Sequence, residues 1–145
     1  VPISTLTAAR DAILTQFKTV WDTQASPIAK VLWQDSDDEV PKGTESWARV
    51  TVVHNQGRQA TLVGQTGNRR FRRFGLVTVQ VFTPIDDGLT KNDILAKLAI
   101  DAFEGQTAGG GDRVEFRNVR SNEVGPDGTW FQTNVFAEFE YDEIK

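Results

Sequence analysis

Gly75-Leu76-Val77-Thr78-Val79-Gln80-Val81-Phe82-Thr83-Pro84 decides the fold of this chain. Val77, Val79 and Val81 fall on one side of a period-two pattern, with Thr78 and Gln80 on the other, as in a strand that buries one face. Pro84, which cannot donate to a sheet, ends it. Directly beyond, Thr90-Lys-Asn-Asp93 has the spacing of a capping box with Asp in place of Glu. Leu95, Leu98, Ala99, Ala102 and Phe103 then share one helical face, and Gly105 and glycines 109–111 stop the helix. A strand and a helix each apolar on one side are built to cover one another.

Working outward, Arg113–Ser121 alternates as a strand, Asn122–Gly128 carries turn residues, and Thr129–Tyr141 completes a long hairpin. In that last strand Phe131, Val135, Ala137, Phe139 and Tyr141 line one face. Gln132, Asn134, Glu138 and Glu140 line the other, interrupted by Trp130 and Phe136. Toward the N-terminus, Trp47–His54 alternates as a strand, Asn55-Gln56-Gly57 reads as a turn, and Gln59–Val63 is its expected hairpin partner. Gln34–Thr44 reads as an acidic loop, and Ile28–Trp33, bounded by Pro27, as a short strand. Leu6, Ala9, Ile13, Phe17 and Val20, widened by Leu14 and Trp21, give an amphipathic helix over about residues 5–22. The order α-β-β-β-β-α-β-β has no βαβα alternation, so the expectation is α+β: a mixed or mostly antiparallel sheet with two helices on one face. At 145 residues the chain is read as one domain, 1–145.

Composition excludes several classes. The 39% hydrophobic and 25% charged fractions are those of a globular protein. No stretch approaches a membrane span of about 20 apolar residues, and no signal peptide is recognisable, so a soluble, non-exported chain without a membrane partner is expected. Zero cysteines rule out disulfides, thiolate metal sites and cysteine nucleophiles. His54 is the single histidine and sits beside Val52 in a strand pattern, where a structural histidine is expected, not a general base. Asp35, Asp37, Asp38 and Glu39 lack the spaced ligands and central glycine of an EF-hand, so a solvated loop is expected and no metal. The glycine-rich run at 105–111 follows a helix instead of opening one and has no Lys-Ser/Thr, so it cannot cradle phosphate as a P-loop does. Paired carboxylates at Asp86-Asp87 and Glu138/Glu140 carry no sign of burial that would split their pKa values. No catalytic residue and no cofactor are assigned.

Charge is sorted along the chain. The net charge of −4 hides +1 over residues 1–34, −4 over 35–45, +6 over 46–85 and −7 over 86–145. Segments that stay apart in the fold would make a dipolar surface, whereas segments lying side by side would cancel. The basic block holds Arg49, Arg58, Arg69, Arg70, Arg72 and Arg73 and no acid. Arg69-Arg70-Phe71-Arg72-Arg73-Phe74 admits three readings. It offers forks for phosphates and two rings for stacking on bases, but the pI near 5.0 and the lack of a nucleic-acid motif stand against this. It could be an exposed loop. Arginine and aromatics are also the residue types that concentrate in protein interfaces, with an acidic complement on a neighbouring copy, and that reading is preferred.

Gly75–Pro84, the glycine and capped helix that follow, the Ala102-Phe-Glu-Gly105 turn, and Val114-Glu-Phe-Arg117 leading to Gly128-Thr-Trp-Phe-Gln-Thr-Asn-Val-Phe-Ala-Glu-Phe-Glu-Tyr141 resemble the tail terminator (tail completion) proteins of long-tailed bacteriophages. The resemblance spans nearly the whole chain. It implies a non-enzymatic subunit that forms a ring, commonly a hexamer, at the head-proximal end of the tail tube. Such a ring stops tube polymerisation, meets the tail tube protein on one side and the head connector on the other, and lets genomic DNA pass through its hole without specific recognition. The implied location is the virion neck, after assembly in the host cytoplasm. Alternatives are another neck or connector ring component, or a small nucleic-acid-binding protein acting through Arg69–Arg73. A ring needs two different patches on each subunit, which the basic and acidic segments could supply. Trp130 and Phe136 are further interface candidates, beside Asp35, Asp37, Asp38 and Glu39.

Overall fold

The computed structural model describes residues 6–24, 29–34, 39–40, 45–61, 67, 69–87, 89–109 and 114–144. The elements are α1 (Leu6–Gln24), β1 (Ala29–Leu32), β2 (Ser46–Gln59), β3 (Arg70–Pro84), a 3-10 turn (Ile85–Asp87), α2 (Thr90–Phe103), β4 (Thr107–Ala108), β5 (Val114–Asp127) and β6 (Trp130–Ile144). Among the described residues they form a six-stranded sheet ordered β1-β2-β3-β6-β5-β4, with β1 parallel to β2 and every other pair antiparallel. The α+β class, with both helices on one face, is the architecture expected.

Register explains the core. Val50, Val79 and Val135 stand opposite one another, as do Val52, Val77 and Ala137, so the alternation of three strands points one way. All six are buried. Onto this face α1 lays Ala9, Ile13, Phe17 and Trp21, and α2 lays Leu95, Leu98, Ala99, Ala102 and Phe103. Phe17 joins the two helices, its ring 5.1 Å from Trp21 and 5.9 Å from Phe103. The buried stripe of α1 ends on Trp21, with Val20 half-buried beside it, and Trp21 also donates Nε1–H to the carbonyl of Ala29 in β1. α1 also meets β4 and β5, at the opposite edge of the sheet from β1.

Four local expectations are corrected. Asn55–Gly57 does not turn the chain: β2 runs on to Gln59, absorbing the irregularity as a bulge between His54 and Gln56. Its hairpin partner is therefore β3, and the separate strand expected at 59–63 is the end of β2 as far as Gln59, with 62–63 outside the described residues. Gly57 lies beside the Arg73 side chain, where a Cβ on it would come 2.5 Å from the movable Nη1. Of the readings open for the arginine segment the exposed loop is set aside: Arg70–Phe74 are the first third of β3, beside Asp142 and Glu143 of β6. Asn122–Gly128 is likewise mostly strand; β5 continues to Asp127 through bulges at Arg117/Arg120 and Glu123/Gly125, where Asn118 and Gly125 take positive φ. Last, the capping box is not made. Leu89 occupies the cap position of α2 without a side-chain cap bond, and Thr90 is already helical.

Asn92 fixes that helix end. It is fully buried, donates Nδ2–H to Thr83 Oγ1 at 3.1 Å and to the Phe131 carbonyl at 3.2 Å, and accepts from Thr133 Oγ1. One amide thereby ties α2 to β3 and β6. At the far end Gly105, at φ +72°, closes α2 in the left-handed conformation open to glycine.

Candidate functional site: the arginine strand and the uncovered sheet face

Strand alternation splits the arginine cluster. Arg70, Arg72 and Phe74 share the face away from the helices, in register with Ile144, Asp142 and Glu140; Phe71 and Arg73 point the other way, in register with Glu143 and Tyr141. Arg72 Nε donates to Asp142 Oδ1 at 3.0 Å, Arg70 Nε lies 3.5 Å from Asp142 Oδ2, and Arg73 Nε donates to Glu143 Oε2 at 3.3 Å. The hydrogen bond and charge of Asp142 hold the Arg72 guanidinium above its usual pKa. Arg73 also lies over the Phe71 ring at 5.8 Å, and Arg58 of β2 over Phe74 at 5.7 Å. Basic and acidic segments thus meet inside the chain.

The same pattern continues across the uncovered face. Arg117 of β5 pairs with Glu140, and Arg120 reaches Glu138 at 3.1 Å while lying 5.3 Å over Phe136. The rows that follow on this face carry Thr51, Thr78 and Phe136, then Arg49, Gln80 and Asn134, across three strands. Toward its other end sits a second, smaller apolar cluster: Trp47 stacks on Phe82 at 4.0 Å and meets Trp130 edge-on at 6.1 Å, with Leu32 beside them.

The sequence-derived candidates therefore occupy separate places. Arg69–Phe74 lie at one end of the sheet, Phe136 near its middle and Trp130 at the opposite end, packed on its own subunit's Trp47 and Phe82. Glu39 is exposed, and Asp35, Asp37 and Asp38 lie outside the described residues. Sequence reading missed the β6 carboxylates as arginine partners. A signal was present: Glu138, Glu140 and Asp142 recur with period two, as do Arg70 and Arg72.

These pairs have modest energetics. Arg72 and Asp142 are about one-third and one-quarter exposed (33% and 27%), so solvent screens them. A double-mutant cycle with Arg72→Ala and Asp142→Ala is expected to give a coupling of no more than about 1 kcal/mol, shrinking in 1 M salt. A coupling several times larger would mean that the pair sets the position of the strand end.

His54 lies just inside this end. Its Nε2 is 3.0 Å from Tyr141 Oη, and its ring stands edge-on to Phe139 and Tyr141. Burial first, then the charges of Arg10 and Arg73, lower the His54 pKa; burial chiefly pushes Tyr141 up to about 12. Both shifts favour the neutral pair. As the folded His54 binds its proton less readily than the unfolded chain, stability should fall as pH drops below about 6.5 toward the folded pKa. For Tyr141 the sign reverses, and stability present below about pH 10 should be lost as pH rises toward about 12. The chain has one His and one Tyr, so each is its own probe. Phenolate absorbance should titrate near 12 in the folded protein and near 10 in urea; His54→Gln should flatten the acidic slope.

The geometry describes a sheet with one face covered by the helices and the other uncovered. A family model described as phage tail terminator protein matches residues 8–138. The chain belongs to this family. It is a structural protein of the phage tail and a component of the virion, and its family implies contacts with tail and head components. No curated protein matches this tail terminator. A solved structure 18% identical in sequence superposes with a TM-score of 0.72, covering 94% of this chain and 95% of its own, a likeness of fold.

Proposed function

We propose that this tail terminator assembles into a hexameric ring on the head-proximal end of the tail tube. The ring stops tube polymerisation, presents the docking surface for the head connector, and passes the genome through its hole without reading it. It is not an enzyme, and it assembles in the host cytoplasm before becoming part of the virion neck. The single observation carrying this reading is the family match over residues 8–138. The arginine strand adds support, because Arg70, Arg72 and Arg73 already have carboxylate partners on β6 and hold less charge in reserve for a nucleic acid.

Two measurements test it. The mass of the purified chain, and of the chain on isolated tails, should correspond to a ring of about six copies. A labelled subunit should appear only at the head-proximal tip, and tails made without it should be overlong and headless. Label along the whole tube would overturn the reading. So would strong, salt-dependent binding to nonspecific DNA by the isolated subunit that is lost in Arg70→Ala/Arg72→Ala, since that result belongs to a nucleic-acid-binding protein.

A further inference from the structure

The sheet ends in two open edges of opposite residual charge. β4 covers β5 only at Val114 and Glu115, so from Phe116 to Asp127 no strand flanks β5 among the described residues. Residues 120–124 are exposed on both faces of the strand. On the opposite edge β1 covers β2 only from Ser46 to Arg49. Val52 is next occupied from the side, its N–H by Gln34 Oε1 and its carbonyl by Arg10. From Val53 to Gln59 this edge too has no strand neighbour among the described residues. Open edges are templates for pairing, and natural sheets seldom leave long ones unmanaged.

Residual charge distinguishes the two edges. The bases of β3 and those of β5 (Arg117 and Arg120) have partners on β6. Along the β1–β2 edge, Lys30, Arg49 and Arg58 are exposed on the uncovered face and form no ion pair with a described carboxylate. Along β5, Glu115, Glu123 and Asp127 are exposed and form no ion pair with a described cation, although the charge of Glu115 also acts on Arg72; Glu115 and Asp127 lie on that same face. Following the sheet rows from one end to the other, the acids come in the order Glu115, Glu123, Asp127 and the bases in the order Arg58, Arg49, Lys30.

Strand direction fits as well. Within the sheet β5 runs antiparallel to β2, so a second copy set beside the first in the same orientation continues the antiparallel alternation. A negative edge on one copy meeting a positive edge on the next is a heterologous contact, which closes into a ring when the rotation allows. We infer that the β5 edge of one copy docks on the β1–β2 edge of the next, with Glu115, Glu123 and Asp127 facing Lys30, Arg49 and Arg58, and that this joint links neighbouring subunits. The inference rests on the ring proposed above. The bulges of β5 keep its ladder irregular, so side-chain charge, more than backbone pairing, selects this partner over indiscriminate edge-to-edge association.

Charge reversal on one edge at a time is the test. Lys30→Glu/Arg58→Glu makes both edges negative, and Glu115→Lys/Asp127→Lys makes both positive. Each variant alone should associate at least ~100-fold more weakly than the wild type, given the several kcal/mol that juxtaposed like charges cost. A 1:1 mixture should restore assembly to within about tenfold of the wild type, as alternating rings with equal amounts of both chains. Thermal midpoints and tryptophan fluorescence verify folding. If a reversal variant unfolds, Lys30→Gln/Arg58→Gln and Glu115→Gln/Asp127→Asn replace it, with a loss of about tenfold expected. Rings formed unimpaired by either single-edge variant, or a mixture of folded variants that stays apart, would overturn the joint alone. A wild type that is monomeric in solution and on tails would overturn the ring together with its joint.

Discussion

Gly75→Ala should lower stability by about 3 kcal/mol or more, the upper range for overpacking, and the thermal midpoint by about 10 °C. Gly75 is buried in the middle of β3, in a row with His54 on one side and Phe139 on the other. A Cβ there would lie 2.3 Å from Phe139 Cζ and 2.3 Å from the Val53 carbonyl oxygen. One obstacle is a ring locked by its own neighbours and the other is backbone. Phe139 cannot swing away without losing its edge-on contact with His54, and Val53 cannot retreat without parting β2 from β3. Both routes disturb the point at which the paired strands leave the shelter of the helices.

Gly57 supplies the control. A Cβ on it would also be too close to a neighbour, at 2.5 Å, but that neighbour is the mobile end of the Arg73 side chain. Gly57→Ala should therefore cost less than about 1 kcal/mol, and the smaller entropy of the unfolded chain offsets part of that. Equal losses for the two variants would show that clash at Gly75 is not the cause. A second check lies in the tyrosine: if Gly75→Ala displaces Phe139, Tyr141 loses cover and its phenolate should titrate below about 12.

The contrast between these glycines shows what sequence can and cannot carry. Val77, Val79 and Val81, the stripe of α1 and the face of α2 are local periodicities, and each was legible because burial of one face imposes its own period. Asn55-Gln56-Gly57 misled because glycine serves both turns and close approach, and only the position of Arg73 decides between them. The arginine cluster misled for a related reason. Charge in a strand is unfavourable until its cross-strand neighbour is known, and Asp142 stands 70 residues from Arg72. Trp130 reads from the sequence as an interface candidate on a polar face, and only strand order places Trp47 and Phe82 beside it. Family membership was readable from the order and spacing of elements, whereas the edges on which assembly would turn became visible only once strand order was fixed.

Asn92→Ala is the other large expected loss, about 3 kcal/mol, although it removes few atoms. The amide is bonded to Thr83, Phe131 and Thr133, and its deletion strands two buried hydroxyls, each costing about 1–3 kcal/mol when no water replaces the partner, and a half-buried carbonyl. Asn is a middling helix former and alanine the best, so helix propensity alone predicts a gain. The sign of the measured change therefore separates tertiary anchoring from local preference. A double-mutant cycle sharpens it. In a Thr133→Val background one stranded group is gone, and Asn92→Ala should cost about 1 kcal/mol less than in the wild type. Strict additivity would mean that Asn92 and Thr133 do not act as a unit. Such an anchor explains why α2 begins without a side-chain cap: the bonds that position its first turn run outward to β3 and β6, fixing the helix at the end where Ile85, Leu89 and Ile94 stand exposed. Loosening Asn92 should accordingly raise hydrogen exchange through the first turn of α2 while leaving its last turn, held by Phe103 against Phe17, protected.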